Sequence, residues 1–386
     1  MGLPKDSGLE LHSRWPSGRR DLITDVPGVK VGQVTLIDQE RDIHTGVTAL
    51  IPHEGDIFHD KVMAGAAVIN GFGKSTGLVQ IEELGSIETP IIMTNTLSVG
   101  TAYDELVRYM LEQNEDIGTT TGTVNCVITE CNDGRVNDIR GLHVKGEHVR
   151  KAISGASETF SEGCVGAGTG MVCLGLKGGI GSASRVLDID GKSYTIGALI
   201  MSNFGSAGNL VIGGRHYDTS VYDSRLKPAG TGSGTVTGTE AETGAVTEAG
   251  GAEPLAGSSD KKDKGSIIML IATDIPLNER QLKRVAKRAM IALGRVGSYS
   301  GNGSGDIAIA FTTANRLSHY SDRRILDTRM FYDEDIDLVF EAAVEAVEEA
   351  IVSSLYHAET TVGIGGSCYM GLRDFISKYG DGHKEA

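Results

Sequence analysis

The chain has 386 residues, a formal net charge of −15, 40% hydrophobic but only 5% aromatic residues, and 53 glycines. That length exceeds an ordinary single domain, so the chain is either two domains or one large α/β unit built on small-residue packing and tight turns. The acidic balance and the lack of a Lys/Arg-dense stripe argue against nucleic acid or an anionic membrane as partner, because both require positive charge.

Residues 1–6 lack the apolar stretch of a signal peptide, and no run of about 18 apolar residues follows, so a soluble cytoplasmic protein is expected. Five cysteines (Cys126, Cys131, Cys164, Cys173, Cys368) are widely spaced without a CxxC pair. Buried free thiols fit that set better than a disulfide framework or a zinc ribbon.

In chain order, apolar runs at 91–93, 124–128 and 196–201 predict strands, and 101–112 predicts a helix with Leu106, Val107, Met110 and Leu111 inward. Residues 229–264 carry eight glycines and six threonines with no aromatic and one leucine, Leu255. Such a segment cannot bury enough apolar surface to offset its ordering entropy and reads as a flexible connector. It ends abruptly at Gly265-Ser266, where 266–273 (SIIMLIAT) predicts a strand buried on both faces. A tether that passes straight into a core strand is a suitable place for a cleavable bond.

From Asn278 a helix is expected, with Asn278 as cap, Gln281 at the capping-box position, Met290 and Leu293 among the inward residues, and Gly294 as its stop. A further helix is expected from about 333, with one apolar stripe and acidic residues opposite. The irregular alternation predicts stacked sheet and helix layers of the α+β class rather than a repeating parallel unit.

Two glycine-rich stretches invite a nucleotide reading and fail. Gly71-Phe72-Gly73-Lys74-Ser75 lacks the first glycine of a phosphate loop, since Val68 stands there, and 166–181 lacks GxGxxG spacing after a strand. Turns and close packing are the better use of both. The ten histidines include no HExxH, and no Gly-x-Ser-x-Gly elbow exists, so neither a metal, another cofactor nor a histidine-based triad is expected. Three polar patches remain at strand ends: Gly265-Ser266, residues 298–306 before the apolar run 307–311, and 202–205.

Together these stretches resemble the family of L-aminopeptidase/D-esterases and β-peptidyl aminopeptidases. The resemblance is carried by 25–32 (DVPGVKVG), 94–100 (TNTLSVG), 137–141 (NDIRG), 166–185, 203–205 (NFG), Gly265-Ser266 with 272–274 (ATD), and 302–306 (NGSGD), in order across nearly the whole chain. It implies a four-layer αββα sandwich, Ntn-hydrolase-like, formed as one unit from two chains after self-cleavage: an α-chain of residues 1–265, including the connector 229–264, and a β-chain of 266–386. The connector departs from the family's pattern in being longer.

The same resemblance implies the site. Cleavage between Gly265 and Ser266 leaves Ser266 as a nucleophile whose own α-amine, with an ordinary pKa of about 7.7 to 8.0, can serve as base. Ser304 and Asp306 match a relay serine and an orienting carboxylate, and Asn203 the oxyanion-hole amide. Glu130 and Asn132 fall near where the family binds the substrate's amino terminus. The implied reaction removes N-terminal residues from short peptides, amides or esters, D- or β-amino acids among the candidates, by αβ units assembled into a homotetramer. Two alternatives stay open at this stage: an acyltransferase or amidase of the same fold, like ornithine acetyltransferases or nylon-oligomer hydrolases, and a non-enzymatic scaffold whose serines are turn residues.

Overall fold

Runs of apolar and β-branched residues punctuated by glycine build the elements one after another. Strand β1 (Lys30–Asp38) reverses at Asp42, which takes a left-handed backbone (φ 53°), into β2 (Ile43–Ile51). There follow β3 (Asp60–Gly71), α1 (Leu78–Leu84), β4 (Ser86–Ile87), β5 (Ile91–Asn95), α2 (Val99–Gln113), β6 (Val127–Cys131) and α3 (Gly146–Ser154). Two hairpins of unequal size come next: β7 (Val172–Cys173) with β8 (Leu176–Lys177), then β9 (Ile180–Ile189) with β10 (Lys192–Asn203). A small pair, β11 (Leu210–Ile212) and β12 (Arg215–Tyr217), precedes β13 (Ser266–Thr273), α4 (Glu279–Arg295), β14 (Gly305–Ser318), α5 (Asp337–Tyr356) and α6 (Leu372–Tyr379). This computed structural model describes residues 2–4, 6–222 and 265–380; the connector expected at 229–264 lies outside the described residues.

Two sheets stack. One has strand order β1-β2-β5-β6 and the other β4-β3-β14-β13-β10-β9. Strand side chains alternate between faces, and β13 shows the result: Ile268, Leu270 and Ala272 pack toward the first sheet with Leu50, Met93 and Val127. Its Ile267, Met269 and Ile271 pack the other way, against Leu282, Val285 and Ala289 of α4 and Val347 and Ile351 of α5. On the far side of the first sheet, Leu106 and Met110 of α2 and Val149 and Ile153 of α3 cover Val47, Ala49, Ile92 and Ile128. The layers are therefore helix, sheet, sheet, helix, the αββα sandwich expected.

Local signals held where local chemistry governs them. Asn278 Oδ1 accepts from the Gln281 backbone N–H at 2.9 Å while Gln281 Oε1 accepts from the Asn278 N–H at 3.2 Å, the reciprocal cap expected. Strand β13 spans the residues predicted for it.

Four expectations need correction. Leu111 and Met290 are exposed and Val107 only half-buried, because the layer beneath each helix is narrower than its apolar stripe. Strand β6 starts at Val127 rather than 124. Helix α4 runs past Gly294 to Arg295, and the left-handed turn falls at Gly297 (φ 95°). The last long helix begins at Asp337 after a single 3-10 turn, and the acidic face expected outward is partly inside: Glu345, Glu348 and Glu349 are buried.

Those carboxylates are buried because cations meet them. Fully buried Arg185 of β9 donates from Nε to Glu345 at 3.2 Å and from Nη2 to Glu349 at 2.5 Å, and Arg295 Nη1 donates to Glu348 at 2.8 Å. Burial still pushes the Glu349 carboxyl up to about 7, although Arg185 opposes it. Helix α5 reaches the sheet this closely through Gly181, where a Cβ would stand 2.0 Å from the Ala350 carbonyl oxygen.

Candidate active site

Three strand ends of the second sheet meet at one edge. Ser266, first residue of β13, is paired antiparallel with Asn203, last of β10, and parallel with Gly305, first of β14. The three patches that sequence placed at strand termini thus become neighbours through register, since a strand pair fixes which residues stand opposite. From the facing sheet, the end of β6 brings Glu130 and the following Asn132 to the same edge.

The Ser266 hydroxyl is buried and donates to the carbonyl oxygen of Gly265, its own preceding residue, at 2.7 Å. The Gly305 backbone N–H donates to that same oxygen at 3.2 Å. The carbonyl is thus polarised by two donors, one of them the hydroxyl whose oxygen would attack it. A glycine is required at 265: a Cβ there would lie 2.1 Å from the Asn203 carbonyl oxygen and 2.6 Å from Phe204 Cα. Gly265→Ala is therefore expected to displace this carbonyl from the Ser266 hydroxyl and to slow any attack on the bond by about 100-fold, the usual penalty for a misplacement near 1 Å. A gel time course of fragment appearance reads this, and cleavage at the wild-type rate would contradict the packing argument.

Ser304 lies one residue before the ladder partner of Ser266 and donates from Oγ to Asp306 Oδ1 at 2.5 Å, both groups buried. The preceding loop is held by Asn70 at the end of β3, whose Nδ2 donates to the carbonyls of Gly301 (3.1 Å), Asn302 (3.3 Å) and Ser304.

Asn203 has a fixed amide orientation. Its Oδ1 accepts from the Val172 N–H at 2.9 Å, and its Nδ2 donates one hydrogen to the Asn132 carbonyl at 2.9 Å. An amide nitrogen carries two hydrogens, so one remains to donate.

Glu130 is 2% exposed. Its Oε1 accepts from the Lys74 backbone N–H at 2.8 Å and its Oε2 from the Thr96 hydroxyl. Asn132 behaves otherwise than its neighbour: its exposed side chain accepts from the Gly134 N–H at 2.9 Å, and it meets the site through its backbone carbonyl.

Sequence reasoning missed the loop 71–74 and Asn70. Set aside there as a turn, this loop forms a wall of the site: Phe72 N–H donates to the Ser304 carbonyl at 3.2 Å, Lys74 N–H holds Glu130, and Phe72 itself is 62% exposed beside them. The available signal was a glycine-flanked aromatic directly after an apolar strand, too common to single out.

A buried serine at the open edge of an αββα sandwich is the arrangement of a serine hydrolase with the Ntn-hydrolase fold. Residues 21–369 match the model of peptidase family S58, and the chain belongs to that family. It is 39% identical over 375 residues to the β-peptidyl aminopeptidase BapA of Sphingosinicella microcystinivorans, covering 94% of this chain and 89% of that one. Among solved structures it resembles the PH0078 protein of Pyrococcus horikoshii OT3, with a TM-score of 0.82 and 46% identity over 97% of this chain and 99% of that one. The L-aminopeptidase D-Ala-esterase/amidase of Ochrobactrum anthropi, described as a variant of the Ntn-hydrolase fold, superposes with a TM-score of 0.80 and 35% identity over 97% and 98% of the two chains. The chain is accordingly a serine peptidase of the aminopeptidase kind, and these relatives favour that activity over the acyltransferase and oligomer-amidase alternative. Among the described residues no helix is long and apolar enough to cross a membrane.

Proposed function

We propose that this aminopeptidase makes its own nucleophile by cutting the bond between Gly265 and Ser266, and that Ser304, Asp306, Asn203 and Glu130 serve the reaction that follows. The observation that carries this reading is the Ser266 hydroxyl seated on the Gly265 carbonyl while Gly305 N–H polarises the same oxygen. Ser266 Oγ attacks the Gly265 carbonyl carbon, its proton passes to the departing Ser266 nitrogen, and an ester replaces the peptide bond. Water then hydrolyses the ester, leaving Gly265 as a carboxylate and Ser266 with a free α-amine.

In the processed enzyme that amine takes the Oγ proton as Oγ attacks the substrate's first carbonyl, and hands it to the leaving amine. The Ser304–Asp306 pair orients the nucleophile and relays the proton. Asn203 Nδ2 donates its remaining hydrogen to the tetrahedral oxyanion. Glu130, already held by two donors, pairs with the substrate's ammonium group, which is why cleavage stops one residue in. Asn132, on the same strand end, contributes through its backbone carbonyl, which holds Asn203 Nδ2. No resident metal or other cofactor has a part in these steps.

Substrates are short peptides, amides and esters, and the names of the relatives point to β- and D-residues at the first position. Residues 1–265 and 266–386 stay together as one αβ unit, and such units form a homotetramer. Five free cysteines, four of them buried, support a reducing, cytoplasmic setting.

A panel of aminoacyl p-nitroanilides tests the substrate pocket. Free-amine substrates should be hydrolysed and their N-acetyl counterparts spared. Glu130→Gln should raise KM by roughly 30-fold or more, the equivalent of about 2 kcal/mol lost when one member of a desolvated charge pair is removed. Equal hydrolysis of acetylated and free substrates would remove Glu130 from this role.

A further inference from the structure

Behind Asn203 lies a buried cation that the steps above leave unused. Lys177, at the end of the β7–β8 hairpin, is fully buried and forms no ion pair among the described residues, Asp133 acting on it from beyond ion-pair distance. Its Nζ donates instead to three backbone carbonyls: Met171 at 2.8 Å, Gly178 at 2.9 Å and Gly168 at 3.4 Å. Three acceptors match the three hydrogens of an ammonium. Burial pushes the Lys177 pKa down, while the neighbouring Cys164, Asp133 and Cys173 oppose that push.

A buried lysine with no carboxylate in ion-pair contact is expensive to keep, since its desolvation is offset by hydrogen bonds and by the more distant Asp133. The connection it makes gives it a use. The carbonyl it grips most closely, that of Met171, belongs to the peptide unit whose N–H is Val172, and this N–H donates to Asn203 Oδ1 at 2.9 Å. Asn203 Oδ1 is conjugated with Nδ2, the donor assigned to the oxyanion. Charge, peptide dipole and side-chain amide therefore lie in series, and each hydrogen bond in such a chain polarises the next in a low-dielectric interior. A positive charge at one end draws electron density along the series and makes the Nδ2 hydrogen a stronger donor at the other. The same grip fixes the Met171–Val172 peptide, whose N–H, together with the Asn132 carbonyl, sets the amide orientation of Asn203. The Gly178 N–H, donating to Met171 O at 2.9 Å, shares in that fixing but carries no charge.

We propose that Lys177 is a positioning residue for the oxyanion hole, acting through the Met171–Val172 peptide on Asn203. The inference rests on the role given to Asn203 above. It predicts an effect on kcat rather than on KM, because the oxyanion exists only in the transition state.

The test is a double-mutant cycle on the full chain: wild type, Lys177→Met, Asn203→Ala and the double variant. Rates are normalised to the fraction of protein cleaved, by intact mass, and each melting temperature is recorded. Lys177→Met should lower kcat roughly tenfold and leave KM within about twofold, a smaller loss than the 100- to 1,000-fold of removing an oxyanion donor outright. With Ala at 203, the same Lys177→Met change should cost nothing further, because its route is gone. If turnover in the Asn203→Ala background is too slow to read at steady state, single-turnover rates with cleaved enzyme in excess over substrate are compared through the same cycle. If Lys177→Met gives no soluble protein, Lys177→Gln takes its place with the same expectations.

An equal fall in kcat in both backgrounds, or a fall that follows the melting temperature, would overturn the role of Lys177 while leaving Asn203 standing. Wild-type kcat in Asn203→Ala alone would instead overturn the site assignment on which the inference rests.

Discussion

Ser266→Ala is expected to yield one uncut chain of 386 residues with activity toward aminoacyl p-nitroanilides reduced by at least about 10⁴-fold. Two losses combine in this one substitution. The hydroxyl that lies 2.7 Å from the Gly265 carbonyl oxygen is gone, so the bond to Ser266 has no internal nucleophile and the α-amine is never released. Even a chain cut by other means would lack the oxygen that forms the acyl-enzyme, and loss of a serine nucleophile alone has cost about 10⁶-fold in turnover in a well-studied serine protease. The fold should survive, because β13 keeps its ladder partners and an alanine fits wherever a serine does. Circular dichroism and melting temperature check that, gel and mass spectrometry check the cut, and a cleaved, active Ser266→Ala protein would relocate the nucleophile.

Asp306→Asn is expected to be nearly as damaging, with kcat down roughly 10³- to 10⁴-fold, comparable to the loss of an orienting carboxylate in other serine hydrolases. Asp306 accepts from Ser304 Oγ, which fixes where that hydroxyl's own lone pairs point. Asparagine keeps the shape but not the charge, and it can present a donor where an acceptor is needed, turning the Ser304 hydroxyl round. KM should change little, since neither group is expected to touch the substrate's amino terminus. A variant in which KM rises while kcat holds would place Asp306 in binding rather than in the relay.

What the sequence made legible follows the range of the physics involved. The contrast between the glycine-threonine stretch and the run after Gly265 is local, and it marked the start of β13 at Ser266 correctly. The Asn278 cap is local too. Asn203, Ser304 and Asp306 are ordinary polar residues at strand ends, and only the family resemblance drew them together; their adjacency comes from ladder register between segments far apart in sequence. The loop 71–74 was read as a turn because nothing within it announces that Lys74 N–H will reach Glu130 or Phe72 N–H will reach Ser304. Glu345 and Glu349 looked like solvated residues because their partner, Arg185, sits on a strand some 160 residues earlier. Lys177 belongs to the same class: a lysine beside two glycines reads as part of a turn or a close-packed stretch until the fold closes three carbonyls around it.

The central claim is that one backbone bond breaks so that a hydroxyl and a free amine come to share Ser266. Intact-mass measurement with N-terminal sequencing of the purified, active wild-type protein tests it directly. The account predicts two polypeptides that copurify, one ending at or before Gly265 and the other beginning at Ser266. A single unbroken chain that hydrolyses aminoacyl substrates at full rate would contradict it.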